Sequence, residues 1–306
     1  MVIRKAAHLY FTTEASYRNV GKTLHVSRNT IFNELNKLGE NCKSFEQITR
    51  ELKPKWSGYL LVDGKTIYIK KDKGALLLAA DARTQDIPYA RLFETEEAEN
   101  YKQLLKALND DIHYPIKGIT VDGDPALLNA ISSIFTGVPL QLCVKHYDDN
   151  LRRYFRYHFQ GIQDGVPRFI EMVHKMLYAK NISHLDCLYR EYLSRLDFFY
   201  ATSLKKEVDH FENNFGRLWT HLYHSGMVRT TNIIEGIIRQ LSRKIDDTDG
   251  FESRQTAWNS LKLMIMNYRF KRFSCSRIKG NNGRSPLALA GVNTSHIDWV
   301  MFSKND

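Results

Sequence analysis

Cysteine is scarce in this sequence: four residues in 306, at Cys42, Cys143, Cys187 and Cys275, with no C-x-x-C pair among them. Scattered so widely, they suggest neither a disulfide framework nor a complete zinc cage, and they fit a reducing compartment. Long apolar runs are also lacking. No stretch approaches the roughly 20 apolar residues that span a bilayer, and the opening MVIRKAAHLYF is too short, and too polar beyond Phe11, for a secretory signal. Acidic residues are in deficit, 34 Asp and Glu against 44 Lys and Arg, for a formal net charge of +10. The basic excess runs through the whole chain, which favours a polyanionic partner, most simply nucleic acid, over a merely basic surface. No membrane partner is expected, and a cytoplasmic, nucleoid-associated or nuclear location is.

What is present suffices for a sizeable core: 43% of residues are hydrophobic and 12% aromatic. The length exceeds the roughly 100–200 residues of a typical single domain. Residues 2–39 read as three short helices. Ser27 is the expected N-cap of the third, which runs through Ile31, Leu35 and Leu38. The pair within SYRNVGKTLHVSRNTIFNELNKLG has the pattern of a helix-turn-helix. Its second helix would turn Arg28, Asn29, Thr30, Asn33 and Lys37 toward base edges and phosphates; a purely structural three-helix cap is the alternative. This predicts a DNA-binding domain over 1–45 and a linker over 46–57, where Pro54 lies in a polar mix.

From Gly58 the periodicity changes. GYLLVDGKTIYIKK, GALLLAADART and IPYARLFE are β-rich runs punctuated by Gly, Lys and Asp. A helix TEEAENYKQLLKALNDD, opened by Thr95, leads to the strand IKGITVDGD, a helix with Pro125 in its first turn, and the strand PLQLCVKH. The order βββαβαβ is that of an RNase H-like α/β domain, expected over 58–272. Residues 150–228 break the alternation and read as an all-α insertion, and 273–306 as a basic C-terminal tail.

In that topology Asp63 lies on the first strand, Asp122 at the end of the fourth, and Glu235 at the start of the helix TTNIIEGIIRQLSRKI, where surrounding isoleucines suggest that it faces inward. An acid within an apolar strand is costly to bury unless it is paired or metal-bound. The plain alternatives are turn residues before Gly64 and Gly123, and a first-turn acid favoured by the helix dipole, with Asn232 as a cap or a neighbour of the metal shell. Three such carboxylates offer hard oxygen ligands for two Mg²⁺ or Mn²⁺ ions, suited to in-line phosphodiester displacement. Asp81, Asp124, Asp148 and Asp149 are substitutes if the register differs.

Asp63, Asp122, the segment LCVKHYDDNLRRYF and Glu235 together resemble the Mutator-like transposases and their prokaryotic insertion-sequence relatives, over about residues 58–290. The resemblance implies DDE-type catalysis: metal-dependent DNA cleavage and strand transfer at terminal inverted repeats, into target DNA, by at least a homodimer. Cys143 and His146 match the family's Cys-x-x-His motif. Cys143 is otherwise a small core residue, and His146 positions phosphate, supports a catalytic carboxylate, or packs. Trp219 resembles an insertion-domain aromatic able to stack on a displaced base, although core packing is the default reading of such a residue. Arg152, Arg153 and Arg156, alternating with aromatics in RRYFRYH, read as a phosphate track or a solvated helix face. Two other functional classes fit less well: a domesticated, inactive DNA-binding relative, and an RNase H-like nuclease or resolvase that cuts without joining.

Overall fold

The computed structural model describes residues 2–70, 72–158, 165–201, 204–248 and 250–305. The chain opens with helices α1 (Val2–Thr12), α2 (Tyr17–Leu24), α3 (Arg28–Glu40) and α4 (Phe45–Leu52). Strands β1 (Tyr59–Ile69), β2 (Asp72–Asp81) and β3 (Tyr89–Phe93) follow, then α5 (Ala98–Asp110), β4 (Gly118–Val121), α6 (Pro125–Ile134) and β5 (Leu140–Leu142). Next come α7 (Val144–His158), α8 (Val166–Leu177), α9 (Ile182–Leu193), α10 (Leu196–Tyr200), α11 (Lys205–Leu218) and α12 (Thr220–Tyr223). Helices α13 (Asn232–Asp246), α14 (Arg254–Phe270), α15 (Pro286–Leu289) and α16 (Trp299–Phe302) complete the chain.

The strands form a five-stranded mixed sheet in the order β3-β2-β1-β4-β5. Neighbours β1–β2 and β2–β3 are antiparallel and β4–β5 parallel, so the element order read from the sequence is the one found. The chain divides into two compact units, one of Met1–Ile116, Pro125–Thr136 and Asn232–Asp306, the other of Lys117–Asp124 and Gly137–Thr231.

In the first unit the β1–β2 hairpin pairs Leu60 with Asp81 through Ile69 with Asp72. Every β2 residue from Gly74 to Asp81 is buried, as its unbroken apolar run dictates. The turn between α2 and α3 has two determinants. Ser27 accepts the Thr30 N–H at 3.0 Å, the expected N-cap, and His25 takes the left-handed conformation, φ 57°. Gly21 lies against this turn, where a β-carbon would come within 2.7 Å of the Val26 carbonyl oxygen. Helix α3 buries Ile31, Leu35 and Leu38 and leaves Arg28, Asn29, Thr30, Asn33 and Lys37 exposed. Its back rests on α14. A β-carbon on Gly39 would fall 2.4 Å from the Asn259 carbonyl oxygen, and the Asn259 amide donates to Asn36 Oδ1 at 3.1 Å.

The structure corrects the sequence reading at both ends of this unit. Residues 46–57, expected to be a linker, contain most of α4, which a Ser44–Gln47 capping box starts and which buries Phe45 and Ile48. The expected 1–45 domain belongs to the same compact unit as the three antiparallel strands. Of the expected 273–306 tail, the described residues 273–305 are folded: Leu287, Trp299 and Val300 are buried, Asp298 accepts hydrogen bonds from Arg4 and His8, and the Lys43 N–H donates to the Ser303 carbonyl at 2.7 Å.

A buried polar corner closes the turn between β2 and β3. Asp81 accepts from the Ser57 hydroxyl at 2.7 Å, the Thr84 hydroxyl at 2.9 Å and the Tyr114 hydroxyl at 2.6 Å. Next to it, Arg269 donates to both oxygens of Asp86, at 2.8 and 2.9 Å, with both side chains fully buried. Trp56 Nε1 adds a third donor to Asp86 at 2.9 Å. Asp81 is thereby engaged in structure and is no substitute metal ligand.

In the second unit all described elements from Val144 to Tyr223 are helices, packed on an aromatic core. Phe169 meets Phe199 edge-on at 5.4 Å and Phe211 meets Trp219 edge-on at 5.9 Å. Trp219, a base-stacking candidate whose default reading was core packing, is 2% exposed, and its indole N–H donates to the Met176 carbonyl at 2.9 Å. Stacking on a base requires an open ring face, and Trp219 has none.

Candidate active site

In the first unit Asp63 sits within β1 opposite Leu78 and follows the buried run Leu60–Val62. It is half-buried, and its Oδ1 accepts the Gly64 N–H at 2.8 Å. Gly64 admits a second acid: a β-carbon there would lie 2.8 Å from the carboxyl carbon of Glu96. The sequence reading took Glu96 for a first-turn acid of a helix opened by Thr95, whereas α5 starts at Ala98 and Glu96 precedes it. Helix α13 packs against β1 and α14 and buries the stripe Ile234, Ile237, Leu241 and Ile245. Glu235, in the first turn, flanks this stripe and is half-buried rather than turned into the core. Asn232 is the exposed first residue of the helix.

In the second unit Asp122 directly follows β4, half-buried. Its Oδ1 accepts the Asp124 N–H at 3.1 Å across Gly123, whose φ of 97° suits only glycine there. No cation pairs with Asp122 among the described residues. Strand β5 ends at Leu142, so Cys143 and His146 lie at a strand-to-helix junction and not on a strand as expected. The Cys143 sulfur receives the Thr231 N–H at 3.4 Å and the Thr231 hydroxyl at 3.3 Å, and the same hydroxyl lies 3.2 Å from His146 Nδ1. Burial pushes the Cys143 thiol up, but hydrogen bonds from His146 and Thr231 outweigh it and leave the pKa below its ordinary value. The Cys-x-x-His spacing is that of an N-cap and its third helical residue, whose backbone N–H reaches back to the cap.

Farther along α7, Arg153, Arg156 and Tyr157 are exposed, whereas Arg152 is held by Asp148 at 3.0 Å. Asp148 also meets His174 Nδ1 at 3.0 Å, and Asp149 pairs with Lys145 at 3.3 Å. Among the described residues no three His, Cys, Asp or Glu side chains gather as a metal-holding group, and no helix is long and apolar enough to cross a membrane.

The sequence pattern described as "Transposase, Mutator family" matches residues 13–272. The chain belongs to the Mutator family of transposases. No curated protein matches this transposase. Among solved structures it is similar to the HTLV-2 integrase catalytic core domain in complex with magnesium. The trimeric form is 16% identical over 42% of this chain and 89% of the other, with a TM-score of 0.25. The dimeric form is 18% identical over 42% and 90%, with the same score. The simian T-cell lymphotropic virus intasome in complex with PP2A regulatory subunit B56 gamma is 13% identical over 58% of the transposase and 70% of that chain, TM-score 0.23.

One residue of the second unit gives a pH signature. The His221 ring and backbone N–H groups both face Gln141 Oε1, at 3.0 and 2.8 Å. Burial, and then the Arg229 charge, push the His221 pKa from 6.5 down to about 4. The folded chain therefore keeps His221 neutral where the unfolded chain protonates it. Its stabilisation is complete above the unfolded value of 6.5 and is lost as pH falls toward about 4. The urea midpoint is expected to drop between pH 7 and pH 5 by more in the wild type than in His221→Gln; equal drops would show that His221 carries no such linkage.

Proposed function

We propose that this transposase is a DDE-type enzyme with an RNase H-like catalytic domain, which cuts DNA at terminal inverted repeats and joins the ends to target DNA. The observation that carries the reading is the family match over residues 13–272, which contains Asp63, Asp122 and Glu235. The sheet order and the βββαβαβ connectivity support it.

The donor type suits a hard divalent cation, and the proposed carboxylates do not gather as a metal-holding group among the described residues. Asp63, Asp122 and Glu235 are all half-buried, open enough to solvent for an ion to enter, and they supply carboxylate oxygens in a chain of net charge +10. These three would hold Mg²⁺ or Mn²⁺, two ions per site, which when bound supply Lewis-acid stabilisation of in-line phosphodiester displacement. The remaining tasks fall to the chain itself. The exposed side chains of α3, reached through the helix-turn-helix of α2 and α3, read base edges and phosphates. Arg153 and Arg156, beside the exposed Tyr154 and Tyr157, offer a second phosphate-contacting face. The Cys143–Thr231–His146 network fixes the backbone immediately before α13, the helix that bears Glu235. Two paired ends call for at least two copies of the chain.

The test is cleavage and joining of a labelled duplex bearing the element's end, with Mg²⁺, Mn²⁺ or EDTA, for the wild type, Asp63→Asn and Glu235→Gln. Metal-dependent cutting and joining by the wild type alone, with DNA binding retained in both variants, is expected. Cutting without joining would replace the transposase with a nuclease, and binding with neither activity would leave a DNA-binding relative.

A further inference from the structure

We infer that Arg229 is a phosphate-binding residue that grips the DNA backbone beside Asp122. This rests on the reading of the chain as a DNA-cutting enzyme and adds a contact in the second unit to it.

The segment from Met227 to Thr231 runs along one face of β4. A β-carbon on Gly118 would lie 2.9 Å from the Met227 sulfur, and the Thr120 hydroxyl donates to the Val228 carbonyl at 2.9 Å. Strand β4 ends at Val121, and Asp122 is the next residue. The segment progresses in the same direction, so Arg229 follows Val228 toward the end of β4. Its backbone is pinned there: the Arg229 carbonyl accepts the Val144 N–H at 3.0 Å, while the Cys143 N–H donates to the Val121 carbonyl at 2.7 Å. Two residues on, Thr231 is anchored to Cys143.

The side chain is placed with equal definition. Arg229 is exposed, and its guanidinium lies over the Tyr178 ring, 5.4 Å from the centroid. Among the described residues no carboxylate forms an ion pair with it. The nearby acid Asp148 is occupied by Arg152 and His174. The charge is felt locally, since it helps hold His221 neutral. A guanidinium fixed in plane by an aromatic face, and unneutralised by the protein, presents a fork matched to two phosphate oxygens. A lone solvated arginine would need neither the ring beneath it nor the pinned backbone.

The experiment uses the full chain and a labelled duplex of the element's end. Binding is measured across a salt series in Ca²⁺ for the wild type, Arg229→Gln and Arg229→Lys, with melting curves to confirm folding. Loss of one phosphate contact lowers the slope of log K against log salt by about 0.9. That decrease is expected in Arg229→Gln and not in Arg229→Lys, and an unchanged slope in a folded Arg229→Gln overturns the inference. Cleavage in Mg²⁺ gives the second readout. Arg229→Gln is expected to cut about 100-fold more slowly, and the deficit should vanish on a duplex carrying a neutral methylphosphonate at the contacted position. The same deficit at every methylphosphonate position would mean a structural role and overturn the assignment. A wild type that cuts nothing while the slope still falls would retain the phosphate site and discard the catalytic reading on which it was built.

Discussion

Asp86→Ala is expected to cost about 3–5 kcal/mol of stability, the range found when one partner of a buried ion pair is removed. Arg269 and Asp86 are both fully buried, and Arg269 donates to each carboxylate oxygen. Removing the carboxylate strands a guanidinium where no water can solvate it, and Arg269 Nη1 already lacks a partner. The Trp56 indole N–H loses its acceptor in the same step. The cost therefore combines an unpaired charge with an orphaned donor, and it should appear as a large drop in the urea midpoint. Asp86→Leu combined with Arg269→Met, which removes both charges and keeps apolar volume, should recover much of the loss. A midpoint unchanged in Asp86→Ala would mean that water reaches Arg269, contrary to the packing described.

Asp122→Asn is expected to reduce DNA cleavage by at least about 100-fold, the loss that follows removal of a single charge-stabilising group from an active site. Asparagine retains a side-chain oxygen to accept the Asp124 N–H, so the turn across Gly123 survives. What disappears is the negative charge, which no cationic side chain balances among the described residues. Melting temperature and duplex affinity should stay near wild type while product vanishes. Cleavage at the wild-type rate in Asp122→Asn would remove Asp122 from the metal-holding set.

The sheet was legible because its signals are local. Apolar runs of strand length, bounded by Gly, Lys and Asp, mark β1 to β5, and Pro125 marks the start of α6. Ser27 was legible for the same reason, since an N-cap acts within three residues. The open and mistaken readings concern residues whose environment is supplied from far along the chain. Trp219 is as aromatic in a core as on a surface, and its bond to Met176, 43 positions away, decides for the core. Helix α4 is short, with a capping box that the Pro54-centred linker reading overlooked. The C-terminal segment was read as a tail from its basic, turn-rich opening KGNNGRSP, whereas Asp298 within it is bound by Arg4 of α1, 294 positions earlier. At Glu235 the crowd of isoleucines hid the direction: the stripe actually buried passes through 234, 237, 241 and 245 and leaves the acid at its flank. Cys143 and His146 looked like strand residues because LQLCV is mostly apolar before the lysine, whereas the strand yields to α7 at Val144.

The two sides of α3 live under different rules. Behind, Gly39 touches Asn259 so closely that a single added carbon has no place, and Asn36 is tied to the same residue. In front, Arg28, Asn29, Thr30, Asn33 and Lys37 are exposed. Substitution in the front set leaves the packing of Gly39 and Asn36 on Asn259 untouched, so the exposed face of the helix is free to vary while its seat stays frozen.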